Sequence, residues 1–520
     1  MFTTAPPAMG WLGLIWLLVF TVAVFTVRPL TAAPQPTGLD VARIDAFVRD
    51  QVRRHGIPGL ALAVVEGEQI VHLGGYGKAD QSGRPVTPQT PFVLASVSKP
   101  ITALAIMQLV EAGKVELDAP VQRYLPTFQL ADPVAAQQIT VRHLLNHTSG
   151  IPEKGCQNNR FGTKTLAEFV AALQTIELVA PVGARHFYCS GNYNILGRTI
   201  EVVASQSYAD YIQQHLFAPL AMHHSFTDEQ TAKRDGLAQG YQWLFGLPVP
   251  ANYPYDAPQM PSGFLIASVE DMAHFLLAQL NGGRFGAAAV LSPAGIAAMQ
   301  APGVAVGESQ DTYGLGWRTT TLRGVPIITH SGDHPNFHTL IFLDPVSRRG
   351  AVLLMNSQST LAQLSGVFPA IEAGVAQMVA GQEPVPATAL SLPRLYLLLD
   401  VILVSLLLLV FWPFLRLPLW TQWLRQQAAN GRVPRLRIVL RVVWEIGLPL
   451  LLLLGVRLLL GALGAQSWAE GLLLFADIGV WLWVFSLVML LTGAGRLVLF
   501  LRRNQPERSP MAAPVLQRSV

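Results

Sequence analysis

The chain has 520 residues, of which 51% are hydrophobic and 13% are charged, and its mean hydropathy is +0.38. This composition is too apolar and too poor in charge for a purely soluble globular protein. The formal net charge of +4 reflects arginine-rich segments near the C-terminus, so it gives no reason to expect nucleic-acid binding.

An apolar stretch occupies residues 11–27 and is followed by Arg28 and the small residues Thr31, Ala32 and Ala33. We interpret residues 1–33 as either a signal peptide or an uncleaved membrane anchor, since both have an apolar core of this kind. Residues 34–380 then form one large domain.

Two apolar hairpins are predicted near opposite ends of the large domain. One turns at Glu66-Gly67 and the other at Asp344-Pro345. Short apolar runs that flank turn residues are typical of antiparallel strands. The four strands are predicted at residues 60–65, 70–73, 340–343 and 351–355. This arrangement predicts an α+β fold whose sheet is assembled from both ends of the domain.

Ser96 and Lys99 stand three residues apart at the start of an apolar run that ends at Gly113. On a helix the two side chains share one face. A Lys removed from water can lose its proton and serve as a base, and a helix N-terminus favours the alkoxide of an attacking Ser. The pair therefore indicates covalent acyl-enzyme chemistry, whereas the alternative is a helix cap beside a surface Lys.

The segment around Tyr188 follows turn residues at 181–183 and is similar to the Tyr-x-Asn region of class C β-lactamases, where a Tyr phenolate helps to move protons. The resemblance implies that role for Tyr188. Ser190 stands where the family usually has Asn, so we expect Asn192 to replace the missing amide contact to the substrate carbonyl. The alternative is a buried Tyr whose hydroxyl is satisfied within a loop.

His330, Ser331 and Gly332 follow a strand-like segment and precede Asp333. They resemble the Lys-Thr-Gly strand of β-lactamases with His in the Lys position. A neutral His cannot hold a substrate carboxylate as a Lys ammonium does, which argues against a dedicated β-lactamase. By analogy, the backbone N–H groups of Ser96 and Asp333 would form the oxyanion hole.

Several further segments look like structural landmarks of the same family, and they extend the resemblance over roughly residues 40–380. They lie at residues 144–151, 261–264, 270–272, 281–283 and 313–317. The chain is therefore identified as a member of the β-lactamase-related serine hydrolase family. The resemblance implies a β-lactamase/transpeptidase-like fold, an antiparallel sheet flanked by helices with a helical subdomain inserted, and a cleft bordered by all three motifs.

Other hydrolase classes lack their signatures in this sequence. No Gly-x-Ser-x-Gly elbow and no His-Glu-x-x-His pair occurs, so neither an α/β-hydrolase nor a zinc peptidase is indicated. His330, His334 and His338 recur every four residues, but Gly332 and Pro335 between them argue against a helix that would gather them around a metal. We expect no metal site and no cofactor.

Cys156 and Cys189 are the two cysteines of the chain, and both fall in the large domain. Outside the cytoplasm a disulfide between them would persist and would tie the loop after Ile151 to the active-site rim. The alternative is two unpaired thiols, since the sequence does not give their separation.

The C-terminal part is predicted to cross a membrane three times. After a Pro-bearing linker at residues 381–393, apolar spans lie near residues 395–415, 438–460 and 472–492, so that residues 394–495 form an all-α transmembrane segment. The first connection and the tail at residues 496–520 carry most of the nearby Arg residues. The positive-inside rule places both in the cytoplasm and the large domain outside.

These observations predict a multi-pass serine hydrolase on the outer face of a bacterial cytoplasmic membrane, with the lipid bilayer and a small-molecule or peptide substrate as partners. Ser96 would attack an ester or amide, including a D-amino-acid peptide, with Lys99 and Tyr188 relaying its proton. The alternatives are a β-lactamase or penicillin-binding D,D-carboxypeptidase, a non-hydrolytic receptor that is slowly acylated by penicillin or binds cell-wall fragments, and a catalytically dead relative.

Overall fold

The computed structural model describes residues 39–153, 164–384, 390–430, 435–462 and 476–503. The predicted N-terminal signal or anchor, Cys156 and most of the predicted cytoplasmic tail lie outside these described residues.

An antiparallel sheet of eight strands is the centre of the large domain. The described strands are β1 Gly59–Glu66, β2 Gln69–Gly77, β3 Pro91–Val93, β4 Ser225–Phe226, β5 Tyr241–Leu244, β6 Leu247–Pro250, β7 Ile266–Ser268, β8 Arg284–Phe285, β9 Ala288–Ala289, β10 Val304–Ala305, β11 Thr312–Tyr313, β12 Arg318–Leu322, β13 Val325–His334, β14 Phe337–Asp344, β15 Arg349–Met355 and β16 Ser357–Gln358. The strand order of the sheet is β10-β11-β12-β13-β14-β15-β1-β2, so strands from the two ends of the domain are neighbours.

Helices cover both faces of this sheet, and most of them lie between β2 and β10 in the chain. Those of the large domain are α1 Val41–His55, α2 Ser98–Glu111, α3 Pro133–Gln138, α4 Val141–Leu145, α5 Leu166–Ala171, α6 Gly191–Ala204, α7 Tyr208–Ile212, α8 Glu229–Arg234, α9 Val269–Leu280, α10 Pro293–Gln300, α11 Thr360–Leu364 and α12 Val367–Val379. The predicted α+β fold, with its two-ended sheet and inserted helical part, is confirmed.

The first strand of the early hairpin, β1, is apolar from Gly59 to Val65 because it is buried on both faces. Ala61 and Ala63 of β1 pack into the core shared with α2 and α9, whereas Leu60 and Leu62 face the core formed with α1 and α12. A strand covered on both sides needs no polar alternation. The two hairpins are joined through β1 and β15, where Ala63 pairs with Val352.

The C-terminal part is helical in its described residues. Its helices are α13 Leu392–Leu415, α14 Leu417–Ala429, α15 Arg435–Ala462 and α16 Ala476–Arg503. Helix α14 lies within the predicted first connection, where Pro418 is tolerated because it occupies the first helical turn. Helix α16 continues beyond residue 495, so the predicted tail begins inside a helix.

One helical segment within the described ranges, Gly479–Leu499, is long and apolar enough to cross a membrane. It has 21 residues and a mean hydropathy of 1.9, and 28% of its most apolar window is buried. The start of α13 packs on the large domain, since Leu392 is fully buried and Tyr396 is only 5% exposed. The linker therefore ends in a docked helix.

Candidate active site

Ser96 lies in a 3-10 turn, Ala95–Val97, between β3 and the start of α2. Ala95 has a φ of 47°, a left-handed backbone conformation that residues other than Gly rarely adopt. Such backbone strain persists only where the surrounding structure enforces it, and it is common at active sites. Lys99 follows in the first turn of α2 and is fully buried.

Two donors converge on the hydroxyl oxygen of Ser96. Lys99 Nζ lies 2.9 Å from Ser96 Oγ, and the phenol of Tyr188 donates to the same oxygen at 3.0 Å. Lys99 also donates to the backbone carbonyl of Ser262 at 2.7 Å. Two donors directed at one hydroxyl oxygen favour the negative charge that this oxygen develops as an attacking nucleophile.

Tyr188 is a neutral phenol in this environment. Burial and the neighbouring Tyr313 raise the pKa of Tyr188 well above its ordinary value, although the hydrogen bond to Ser96 opposes the shift. The resting side chain therefore carries its proton, and the phenolate implied by the family resemblance is not the resting form.

The imidazole of His147 packs against the ring of Tyr188. The two ring centroids are 4.3 Å apart, and His147 Nδ1 accepts the backbone N–H of Cys189 at 3.2 Å. Burial and the nearby Lys99 hold the pKa of His147 well below its ordinary value. An uncharged imidazole thus fixes the loop that carries Tyr188.

Ser190 and Asn192 are placed differently from one another. Ser190 lines the cleft, and its backbone N–H donates to Glu153 at 2.5 Å. Asn192 is fully buried in α6, where its amide oxygen accepts from Ser149 at 2.9 Å and its nitrogen lies 3.3 Å from His147 Nδ1. The expected substrate contact of Asn192 is therefore corrected: its amide is committed inside the domain and does not reach the cleft.

Strand β13 runs directly beside the nucleophile turn. A Cβ on Gly332 would lie 2.8 Å from the backbone nitrogen of Ser96 and 2.7 Å from the carbonyl oxygen of Leu94. Real Cβ atoms do not approach backbone so closely, so only Gly permits this contact. Gly332 therefore sets the distance between Ser96 and the strand that carries Ser331 and Asp333.

His330 is uncharged and hydrogen-bonded on both ring nitrogens. Its Nδ1 lies 2.7 Å from the carbonyl oxygen of Ser331, and its Nε2 lies 2.8 Å from the hydroxyl of Tyr313. Burial and the charge of nearby Lys99 lower the pKa of His330 to about 3. The neutral His expected from the sequence is therefore present.

Asp333 belongs to a charged network that the sequence did not predict. Its Oδ1 accepts from His338 Nδ1 at 2.8 Å, while His338 Nε2 lies 2.8 Å from Glu372. Burial opposes ionisation of His338, but the two carboxylates raise its pKa to about 10. The pairing of Asp333 with His338 across the turn from β13 to β14 could have been read from the hairpin, whereas Glu372 on α12 gave no local signal.

These groups border one cleft with a volume of about 660 Å³. Of the residues predicted from the sequence, Ser96, Tyr188, Ser190, His330, Ser331 and Asp333 line it. Sequence reasoning missed Arg318, which also lines the cleft and pairs with Asp311 at 3.1 Å. Among the described residues, no group of three or more His, Cys, Asp or Glu side chains is arranged to hold a metal ion.

The proposed disulfide remains a prediction. Cys189 is fully buried, with its Sγ 3.8 Å from the carbonyl oxygen of Pro152. Cys156 lies outside the described residues.

Comparison with known proteins gives a consistent result. A family model described as Beta-lactamase matches residues 44–374. Penicillin-binding protein 4 of Amycolatopsis lactamdurans is 32% identical over 329 residues, which cover 60% of this chain and 84% of that protein. Protein flp of Staphylococcus aureus strain MW2 is 29% identical over 322 residues, which cover 61% of this chain and 63% of that protein.

Solved structures share the same architecture. An octameric penicillin-binding protein homologue from Pyrococcus abyssi matches with a TM-score of 0.58 and 27% identity, covering 66% of this chain and 78% of that one. A class C β-lactamase matches with a TM-score of 0.54 and 21% identity, covering 63% of this chain and 93% of that one. The large domain therefore has the predicted β-lactamase/transpeptidase-like fold.

Proposed function

Since the chain belongs to the β-lactamase family of serine hydrolases, we propose that it cleaves an ester or amide through an acyl-enzyme on Ser96. The observation that carries this proposal is the convergence of Lys99 Nζ, at 2.9 Å, and the Tyr188 hydroxyl, at 3.0 Å, on Ser96 Oγ. A Ser that only capped a helix would not need a buried amine and a buried phenol on its oxygen.

In the proposed mechanism, Lys99 first releases one proton to solvent, and its uncharged amine then takes the proton of Ser96 as Oγ attacks the substrate carbonyl. The backbone N–H groups of Ser96 and Asp333 hold the oxyanion. Tyr188, whose phenol is protonated at rest, gives a proton to the leaving group and is reprotonated from Lys99. Water then attacks the acyl-enzyme by the reverse route and releases the acid.

We propose esters or D-amino-acid peptides ahead of β-lactams as substrates. The support is His330, which is neutral because its pKa is about 3 and so cannot replace a Lys ammonium as a carboxylate partner. Ser190 also lacks the amide of the usual Asn, and Asn192 does not reach the cleft.

A penicillin-binding D,D-carboxypeptidase or β-lactamase is the second candidate, and Arg318 favours it. This guanidinium lines the cleft and could pair with a substrate carboxylate in place of its present partner Asp311. The similarity to Penicillin-binding protein 4 points the same way.

We propose further that the C-terminal helices cross a bacterial cytoplasmic membrane three times and hold the catalytic domain outside. Tyr396 near the start of α13 stacks on Trp243, and Trp481 near the start of α16 contacts Phe245. Both helices thus begin beside the catalytic domain, as expected if α15 returns the chain between them. The arginines of the first connection and the tail support the same orientation.

The test is hydrolysis of a short-chain p-nitrophenyl ester by the full-length protein in detergent, compared with Ser96→Ala and with Ser365→Ala, which changes a partly exposed Ser outside the cleft and serves as the control. We expect turnover to disappear only in Ser96→Ala. Equal turnover in Ser96→Ala would reject Ser96 as the nucleophile. A fluorophosphonate adduct on Ser96 without ester turnover would favour the non-hydrolytic receptor.

A further inference from the structure

The hairpin formed by β5 and β6 exposes apolar side chains at its tip. Leu247 is 67% exposed, Phe245 40% and Val249 38%. Phe245 also has a φ of 50°, at a hairpin-turn position that Gly, Asn or Asp usually occupies. An aromatic residue kept in a strained and exposed turn indicates a surface that is covered when the protein works.

The sequence around this hairpin carries no charge. No Asp, Glu, Lys or Arg occurs between Asp235 and Asp256. Edge strands exposed to water are commonly protected by charged residues such as Lys. Strand β6 instead contains Pro248 and Pro250, which block pairing with another strand without adding a charge.

The hairpin tip contacts the C-terminal helices at the level where the apolar span begins. Phe245 packs edge-on against Trp481, with ring centroids 5.9 Å apart, and Trp481 lies in the first turn of the segment Gly479–Leu499. The hairpin also contacts the start of α13, where Trp243 stacks on Tyr396 with ring centroids 5.9 Å apart. Trp and Tyr are enriched where membrane helices meet the water interface.

We propose that the tip of this hairpin, formed by Phe245, Leu247 and Val249, lies in the interfacial layer of the bilayer and fixes the orientation of the catalytic domain on the membrane. The inference rests on the membrane part of the proposed function. The bilayer is the occupant because the exposed tip is continuous, through Trp481, with the apolar surface of α16, on which Leu487 is 56% and Leu491 50% exposed.

The same hairpin is joined at its base to the end of the cleft. Asn336 donates to the carbonyl oxygen of Ala251, just after β6, at 2.7 Å, and Tyr253 packs edge-on against His334, with ring centroids 4.7 Å apart. His334 lines the cleft. Four residues of strand from Leu247 to Ala251 span about 13 Å, so this end of the cleft lies close to the headgroup layer. The site then acts on substrates presented at the bilayer surface.

The test uses full-length protein in lipid nanodiscs. An environment-sensitive fluorophore is attached to Leu247→Cys or, as the matched control, to Val346→Cys, which lies in the turn between β14 and β15 and is 85% exposed. Both carry Cys156→Ser, and the same protein without an added Cys gives the labelling background. We expect lipids with a quencher high in the acyl chain to reduce emission at least twofold for Leu247→Cys and to leave Val346→Cys unchanged.

Equal quenching at the two positions would overturn the inference. Carbonate extraction of native membranes separates this result from the anchoring itself: release of the protein rejects the membrane part of the proposed function, whereas retention without quenching at Leu247→Cys rejects only the hairpin contact.

The proposed orientation is also tested by enzymatic activity, with a double variant of the hairpin tip and a matched control. Leu247→Glu combined with Val249→Glu should lower hydrolysis of a bilayer-embedded ester at least fivefold while leaving hydrolysis of a soluble ester unchanged, and Val346→Glu should change neither. A loss of both activities, or of neither, in the double variant would contradict the proposed orientation.

Discussion

The hydroxyl of Tyr313 lies 2.8 Å from Nε2 of His330, and the contact on the other ring nitrogen determines which of the two groups donates. A carbonyl oxygen only accepts, so the short contact of His330 Nδ1 with the Ser331 carbonyl requires that Nδ1 donates. Nε2 must then accept the Tyr313 proton. Both ring nitrogens of the neutral imidazole are therefore hydrogen-bonded, Nδ1 as a donor and Nε2 as an acceptor.

We predict that His330 contributes no ionisation to the activity profile between pH 5 and 8. Its pKa is lowered to about 3, so the ring is neutral throughout this range. The acid limb of kcat/KM for ester hydrolysis should therefore have the same apparent pKa in His330→Gln as in the unchanged protein, even if the rate falls. If the acid limb of the kcat/KM profile moved or disappeared in His330→Gln, His330 would titrate in this pH range, contrary to the prediction.

Removal of the buried amine should affect the rate far more than the fold. Lys99→Met keeps an unbranched side chain of similar length in the same site, and we expect ester hydrolysis to fall by about 100- to 10,000-fold, the usual contribution of general acid–base groups. Thermal unfolding should remain cooperative. Full retained activity would exclude Lys99 as the base.

Tyr188→Phe isolates the phenol from the ring that carries it. The ring still packs on His147, but the donor to Ser96 Oγ is lost. We expect a loss of about 100-fold in kcat/KM, at the low end of the same range. An unchanged rate, measured on protein that binds fluorophosphonate normally, would show that another group protonates the leaving group.

The sequence predicted local pairs better than it predicted converging elements. Ser96 and Lys99 lie one helical turn apart, and the hairpin strands are short apolar runs on either side of turn residues, so both follow from local sequence alone. Asn192 also has the predicted spacing, but α6 directs its amide into the domain, which only tertiary packing determines. Arg318 lies on a strand and Glu372 on a helix, and both are far from Ser96 in the chain. No short-range sequence pattern therefore identifies them as part of the site.

Gly332→Ala should disturb the nucleophile turn directly. The added Cβ would meet the backbone of Leu94 and Ser96 within 3 Å, so we expect at least a tenfold loss of ester hydrolysis and a decrease of about 1–3 kcal/mol in the free energy of unfolding. Gly263→Ala is the matched control in the same cleft, because its Cβ would lie 3.8 Å from the nearest atom, in Ala95. Equal effects in both variants would argue against a specific contact at Gly332.

His338 gives a pH dependence of stability with a defined sign. In the folded protein burial opposes its charge, but Glu372 and Asp333 raise its pKa to about 10, compared with about 6.5 for an unfolded His. A raised pKa stabilises the fold fully below pH 6.5, and this contribution is lost as the pH rises through 10. Titration of Lys and Tyr elsewhere affects variants equally and cancels in a difference.

We therefore predict that the difference in Tm between the unchanged protein and His338→Gln is largest near pH 6 and narrows steadily towards pH 10. Thermal unfolding in detergent across this range measures it. His330→Gln is the control above pH 6.5, since the pKa of His330 is lowered to about 3 and its ring is then neutral in both the folded and the unfolded protein, so its effect on stability does not change with pH. A constant difference for His338→Gln would mean that His338 is not charged between its two carboxylates, and the Asp333 side chain would then lack the cation that holds it at the cleft wall.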